Sequence, residues 1–191
     1  MLATVGVVAS GSVTVGAVTR TGSVVLVALY GPASAPGFAV RRELSLLSGD
    51  VPAQPYHLAA GLERADGEDV IGKVEAGAEE AAAAGLRAMA DSLPATATVL
   101  GVGVVVKSIS VPQNLADVVR SHAWMHAAEG ILYREAVLAA ARHCGWPAHA
   151  VDVTSLPAAE RQLDSIARAA GRPWRRIEKD AARAAMVLLP D

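Results

Sequence analysis

Residues 3–30 read ATVGVVASGSVTVGAVTRTGSVVLVALY, and three valine-rich runs can be marked in them: Ala3 to Ala9, Ser12 to Thr19 and Ser23 to Tyr30. Each is short, β-branched and bounded by turn sequences, Ser10-Gly11 in one case and Arg20-Thr21-Gly22 in the other. Strands joined this closely can pair only as an antiparallel meander, because a parallel return needs a crossover of a dozen residues or more.

Moving outward, residues 31–66 contain Pro32, Pro36, Pro52 and Pro55 and show little periodicity. The segment is too long for an ordinary connection. It is expected to be an irregular insertion with a short helix near Val40 to Leu47. From about Glu68 to Leu93 the chain turns to Ala, Glu and Leu and stops at Pro94, a helix despite its glycines. Thr96 to Lys107, TATVLGVGVVVK, is nearly all apolar and predicts a strand covered on both faces, placed at the centre of the sheet.

Asn114 then opens a long helical stretch that closes at Gly145, with Gly130 as a break. Ala148 to Val153 is a short fifth strand. A helix beginning near Ser155 and Pro157 ends at Gly171, and a last one runs from Trp174 to Leu189, with Trp174, Ile177, Ala181, Ala184 and Leu188 at helical spacing. The order β-β-β-α-β-α-β-α describes one α/β domain over residues 1–191. Its mixed sheet has about five strands, the first three antiparallel, with helices on both faces.

This order resembles the ribonuclease-H-like superfamily. Its resolvase branch opens with Asp, any residue, Gly, Ser, three residues and Gly at the end of an apolar strand. The corresponding stretch here is Ala9-Ser10-Gly11-Ser12-Val13-Thr14-Val15-Gly16. The glycines and the serine match, and the aspartate is replaced by Ala9. The resemblance implies phosphodiester chemistry in which carboxylates on separate elements hold two Mg²⁺ ions. A second carboxylate is implied on or after the central strand, where Lys107 and Ser108 stand, and a third in the last helix, where Asp180 stands. One of three positions is filled. The expected function is that of a degenerate nuclease scaffold that binds nucleic acid or a protein partner. Mg²⁺ is the cofactor implied for any retained nuclease activity.

Two further constellations carry chemistry. His122, His126, Glu129 and Tyr133 share one stripe of the long helix. With Asp180 they form a candidate catalytic set for a different hydrolysis, using one metal or a proton relay, provided that groups on two helices converge in one pocket. The plainer account of the stripe is a solvent-facing polar line. Arg172, Arg175, Arg176 and Lys179, gathered around Trp174, and Lys107 after the long strand are candidate nucleic-acid contacts, with Trp174 as a stacking surface.

Composition limits these readings. A formal charge of −2 and a pI near 6.2 do not describe a uniformly basic chain, so nucleic-acid binding must be local. Residues 1–42 hold three arginines and no acid, whereas residues 43–91 hold ten carboxylates, which makes the helix there an acidic face. The lone Cys144 cannot form an internal disulfide and has no CxxC partner. No apolar run reaches the roughly 18–20 residues of a membrane span. These features point to a cytoplasmic protein without a membrane partner. The Ala-rich helices make a second copy of the chain a candidate partner, as a homodimer.

Overall fold

The computed structural model describes residues 11–191. Among the described residues five strands form one sheet in the order β3-β2-β1-β4-β5: β1 Ser12–Arg20, β2 Ser23–Tyr30, β3 Gly37–Ser45, β4 Thr98–Val106 and β5 Ala148–Asp152. The pairs β1–β2 and β2–β3 are antiparallel, and β4 and β5 join parallel to β1. The helices are α1 Pro55–Ala59, α2 Arg64–Ala90, α3 Leu115–Val118, α4 His122–His143, α5 Glu160–Ala170 and α6 Arg176–Met186. None of the described helices is long and apolar enough to cross a membrane.

The mixed sheet with an antiparallel trio is as expected, and among the described residues the trio is β1, β2 and β3. The run Ala3 to Ala9 and the position of Ala9 lie outside the described residues. The third antiparallel strand is β3, inside the segment read as an irregular insertion with a helix at Val40 to Leu47. Its inner half, Phe38, Ala39 and Val40, is buried, whereas Arg41, Arg42 and Glu43 are not. As an edge strand with a polar second half it lacks the apolar run that betrays a central strand. The middle of the sheet is β1, with β4 beside it, because β4 is flanked on its far side by the short β5.

Each face of the sheet carries helices. Val13, Val15, Ala17, Leu26 and Val104 pack against α2 and α4 through Val74, Ala78, Leu86, Val137 and Ala140. On the opposite face Val25, Val27 and Leu29 pack against α5 and α6 through Leu163, Ile166, Ala181 and Ala185. Every fully buried leucine or isoleucine adds about 1.5–3 kcal/mol relative to exposure. The long helical stretch is divided at Val119 to Ser121 and not at Gly130, through which α4 runs unbroken. Asn114 caps α3 and Ser121 caps α4, each side chain accepting a backbone N–H.

The seating of α6 positions everything at that end of the sheet. A Cβ on Gly16 would stand 1.8 Å from the carbonyl oxygen of Ala181 and 2.6 Å from the nitrogen of Ala185. Backbone lies directly on backbone. Beside it, the buried Thr14 hydroxyl donates to the Ala185 carbonyl at 2.9 Å, one of the last-turn acceptors that a helix cannot satisfy internally. On β4, Gly103 allows the same approach, its Cβ position being 2.9 Å from the Ala184 oxygen.

Candidate functional site

Because β1, β4 and β5 are parallel, their C-terminal ends share one edge of the sheet, where binding residues of α/β sheets gather. Ala17 pairs with Val104, so Arg20 and Lys107 lie equally far along their strands. Beyond β4, the Ser108 hydroxyl donates to Asp152 at 3.1 Å. Side-chain and backbone hydrogen bonds from Thr154, followed by that from Ser108, hold the Asp152 carboxyl below its usual range. The first half of α6 closes this end. With the loop after β5 it lines a groove of about 580 Å³ that includes Pro157, Glu160, Trp174, Lys179, Asp180 and Arg183.

Asp180, the carboxylate implied for the last helix, is mostly covered and paired on two sides. Arg183 Nη1 lies 3.0 Å from one carboxylate oxygen and Arg176 Nε 3.5 Å from the other. Arg183 also reaches Glu160 at 2.8 Å. The described first strand, Ser12–Arg20, contributes no carboxylate, and the side facing α6 presents Thr14 and Gly16 in contact with helix backbone. A pair of Mg²⁺ ions needs several oxygen ligands and space between strand and helix. Among the described residues the carboxylate set for that pair is incomplete: β1 carries none, Lys107 follows β4, and the acid on α6 is held by two arginines.

The cations of this end differ in their availability. Arg175 is committed to protein partners: its Nη2 lies 2.6 Å from Glu178 and 3.2 Å from Glu43 on β3, and its backbone N–H donates to Glu178 at 2.8 Å. The Glu178 carboxylate thereby satisfies a backbone donor at the start of α6. Burial pushes the Glu178 carboxyl up, but hydrogen bonds from Arg175 and from nearby backbone N–H groups outweigh it and leave the carboxyl below its usual range. Arg172, Arg176 and Lys107 are exposed and Lys179 is half-buried. Apart from the loose contact of Arg176 with Asp180, these four make no ion pair among the described residues. Trp174 is half-buried and lines both this groove and a neighbouring one of about 710 Å³ bordered by Arg168 and Arg172.

A second constellation lies on the opposite face of the sheet. His122 and His126 stand one turn apart at the start of α4, and α1 brings His57 onto them. His57 Nδ1 is 2.8 Å from Glu129 Oε1, His57 Nε2 is 3.2 Å from His122 Nδ1, and His126 Nε2 is 3.0 Å from His122 Nε2. Glu129 is 1% exposed and its Oε2, 3.5 Å from His126 Nδ1, has no hydrogen bond. Thus His122, His126 and Glu129 do meet, but Asp180 is not with them: α4 and α6 pack on opposite faces of the sheet. The one-pocket set of all four is ruled out by this placement. The stripe is also not a solvent-facing line, since Glu129 and Tyr133 are buried.

His57, 72 residues from Glu129 in sequence, went unmarked because no local spacing links it to α4. The signal available was Pro55, which suits the first turn of a helix.

Tyr133 continues the stripe inward. Its hydroxyl donates to the Ala53 carbonyl at 2.7 Å, and burial, reinforced by the Glu129 carboxylate, pushes the phenol up to about 12. The folded protein therefore holds this proton where the unfolded chain releases it. Stability contributed by the protonated phenol is complete below pH 10, the ordinary value, and is lost as the pH rises toward about 12. Denaturant midpoints measured between pH 9 and 12 are expected to fall with pH, and Tyr133→Phe to flatten that fall. Beyond this stripe, α2 and α4 enclose a groove of about 760 Å³ bordered by Glu68, Glu75, Glu79 and Glu135. Its charge is opposite to that at the C-terminal strand ends.

The strand order, with three antiparallel strands continued by two parallel ones and helices on both faces, defines a ribonuclease-H-like α/β fold. Among solved structures the chain is similar to Thermus thermophilus RuvC in complex with a Holliday junction substrate, with a TM-score of 0.50 and 16% sequence identity over 92% of this chain and 90% of that one. A second Thermus thermophilus RuvC structure matches with a TM-score of 0.49 and 16% identity over 91% of each chain. No family model and no curated protein matches the sequence.

Proposed function

We propose that this chain binds the phosphate backbone of nucleic acid at the C-terminal ends of β1 and β4 and the start of α6, and that it does so without two-metal cleavage. The observation that carries the reading is the composition of that sheet end. Lys107, Arg172, Arg176 and Lys179 are available there, while the only acid on the adjoining part of α6 that faces the groove, Asp180, is neutralised by Arg176 and Arg183. Arg175, tied to Glu178 and Glu43, serves the fold instead of the ligand. Trp174 offers an aromatic face between the two basic grooves. The acidic α2–α4 groove repels phosphates, so a nucleic acid has one face on which to settle. The solved RuvC structure of similar fold holds a Holliday junction, which makes a four-way DNA junction the first ligand to try.

Binding of a fluorescent junction, duplex or single strand, followed by anisotropy at several salt concentrations, tests the proposal. Four phosphate contacts give a log–log salt slope of about −3 to −4 on duplex DNA. Lys107→Glu combined with Arg176→Glu is expected to make the slope shallower by about 2 and to weaken binding at least about tenfold at low salt. Arg175→Gln, by contrast, is expected to lower stability more than affinity. Absence of binding at 50 mM salt or below would remove the reading.

A further inference from the structure

We propose that His57, His122 and His126 form a site for one divalent transition metal of the zinc class, with Glu129 orienting two of the ligands from behind. This inference rests on the side chains of α1 and α4 alone and is independent of the reading of the sheet end.

One nitrogen from each of the three rings lies within 4.8 Å of the others, and ring centroids are 4.4 to 4.9 Å apart. In a tetrahedral site with Zn–N bonds of about 2.0–2.1 Å, neighbouring nitrogens are separated by roughly 3.3 Å. Each His122 nitrogen makes one contact near that edge, Nδ1 with His57 Nε2 at 3.2 Å and Nε2 with His126 Nε2 at 3.0 Å, so one contact serves as an edge and a ring must turn to bring in the third nitrogen.

His57 Nδ1–H donates to Glu129 Oε1, so its Nε2 carries a lone pair. If all three rings are neutral, His122 must donate from Nδ1 to His57, and His126 must donate from Nε2 to His122. The chain then ends with the bare His126 Nδ1 facing Glu129 Oε2, a buried acceptor with no hydrogen bond. An acceptor opposite an acceptor is unfavourable, and a buried carboxylate calls for a compensating cation. A metal removes both faults at once. It takes the lone pairs of His57 Nε2 and His126 Nε2 and one from His122. The His126 proton then sits on Nδ1 and points at Oε2. Glu129 accepts from two metal-bound histidines, the outer-shell arrangement that fixes imidazole tautomers in zinc sites.

The donor set selects the metal. Three imidazoles suit Zn²⁺, Co²⁺ or Ni²⁺, whereas Mg²⁺ takes oxygen ligands. Three protein ligands leave a fourth position, and the exposure of His122 and His126 turns it toward solvent.

Titration of the purified, chelator-treated protein with Co²⁺, read by visible absorption, and with Zn²⁺, read by calorimetry, provides the test. One equivalent of each is expected to bind, with the intense Co²⁺ bands of a tetrahedral site that Zn²⁺ abolishes. His126→Ala and His122→Ala, at exposed positions that leave the core intact, are expected to weaken binding by more than about 100-fold, and Glu129→Gln by about 10- to 100-fold. His143→Ala and His149→Ala are expected to leave it unchanged. If the folded wild-type protein takes up neither metal at tens of micromolar, the proposal fails. It fails equally if binding survives His126→Ala or disappears with His143→Ala, since the metal would then sit elsewhere.

Discussion

Gly16→Ala is expected to destabilise the protein by about 3 kcal/mol or more, beyond the usual range for a single added methyl group. The new carbon would stand 1.8 Å from the Ala181 oxygen, 2.6 Å from the Ala185 nitrogen and 2.8 Å from the Ala181 carbonyl carbon. All three are backbone atoms of a buried helix. No rotamer change relieves the overlap, so α6 must lift from β1. That movement would break the Thr14 to Ala185 hydrogen bond and open the apolar contacts of Ala181, Ala182 and Ala185 with β2. Urea unfolding measures the loss. Gly103→Ala, whose carbon would meet the Ala184 oxygen at 2.9 Å, provides a milder comparison on the neighbouring strand. A loss below about 1 kcal/mol for Gly16→Ala would mean that the helix does not rest on the strand as described.

Glu129→Ala is the second large effect. Losing a hydrogen bond to a charged acceptor typically costs about 1.5–3 kcal/mol, and the space left by a buried side chain adds to it. Here the carboxylate is 1% exposed, and its loss would leave His57 Nδ1–H without an acceptor and an unfilled space beside Tyr133. Glu129→Gln keeps an oxygen for His57 and is expected to cost about 1–2 kcal/mol. Denaturation with a chelator present separates this structural role from metal binding: the difference between the two variants should persist without metal.

Much of this architecture is legible in the chain. Valine-rich runs bounded by Arg20-Thr21-Gly22, the apolar TVLGVGVVV of β4 and the helical spacing of Ile177, Ala181 and Ala184 all report burial directly, and burial is what a local pattern encodes. The β3 strand is hidden because only its first half is buried; an edge strand carrying Arg41, Arg42 and Glu43 reads as surface. The candidate sites divide in the same way. His122, His126 and Glu129 share a helix face, so spacing alone groups them. Spacing cannot show that α1 delivers His57 to that group, or that the sheet separates it from Asp180. Nor can it show that Arg175, one of five cations read as phosphate contacts, turns inward to Glu178 and Glu43. Each of these is a long-range arrangement fixed by how the helices dock.

We propose that the C-terminal end of this sheet binds nucleic acid without two-metal cleavage. The most direct measurement incubates the protein with an end-labelled four-way DNA junction in Mg²⁺ or Mn²⁺ and scores retained complex and cut strands in the same samples. The account expects salt-sensitive complex and intact strands with either ion. Metal-dependent cleavage that Asp180→Asn abolishes would contradict it.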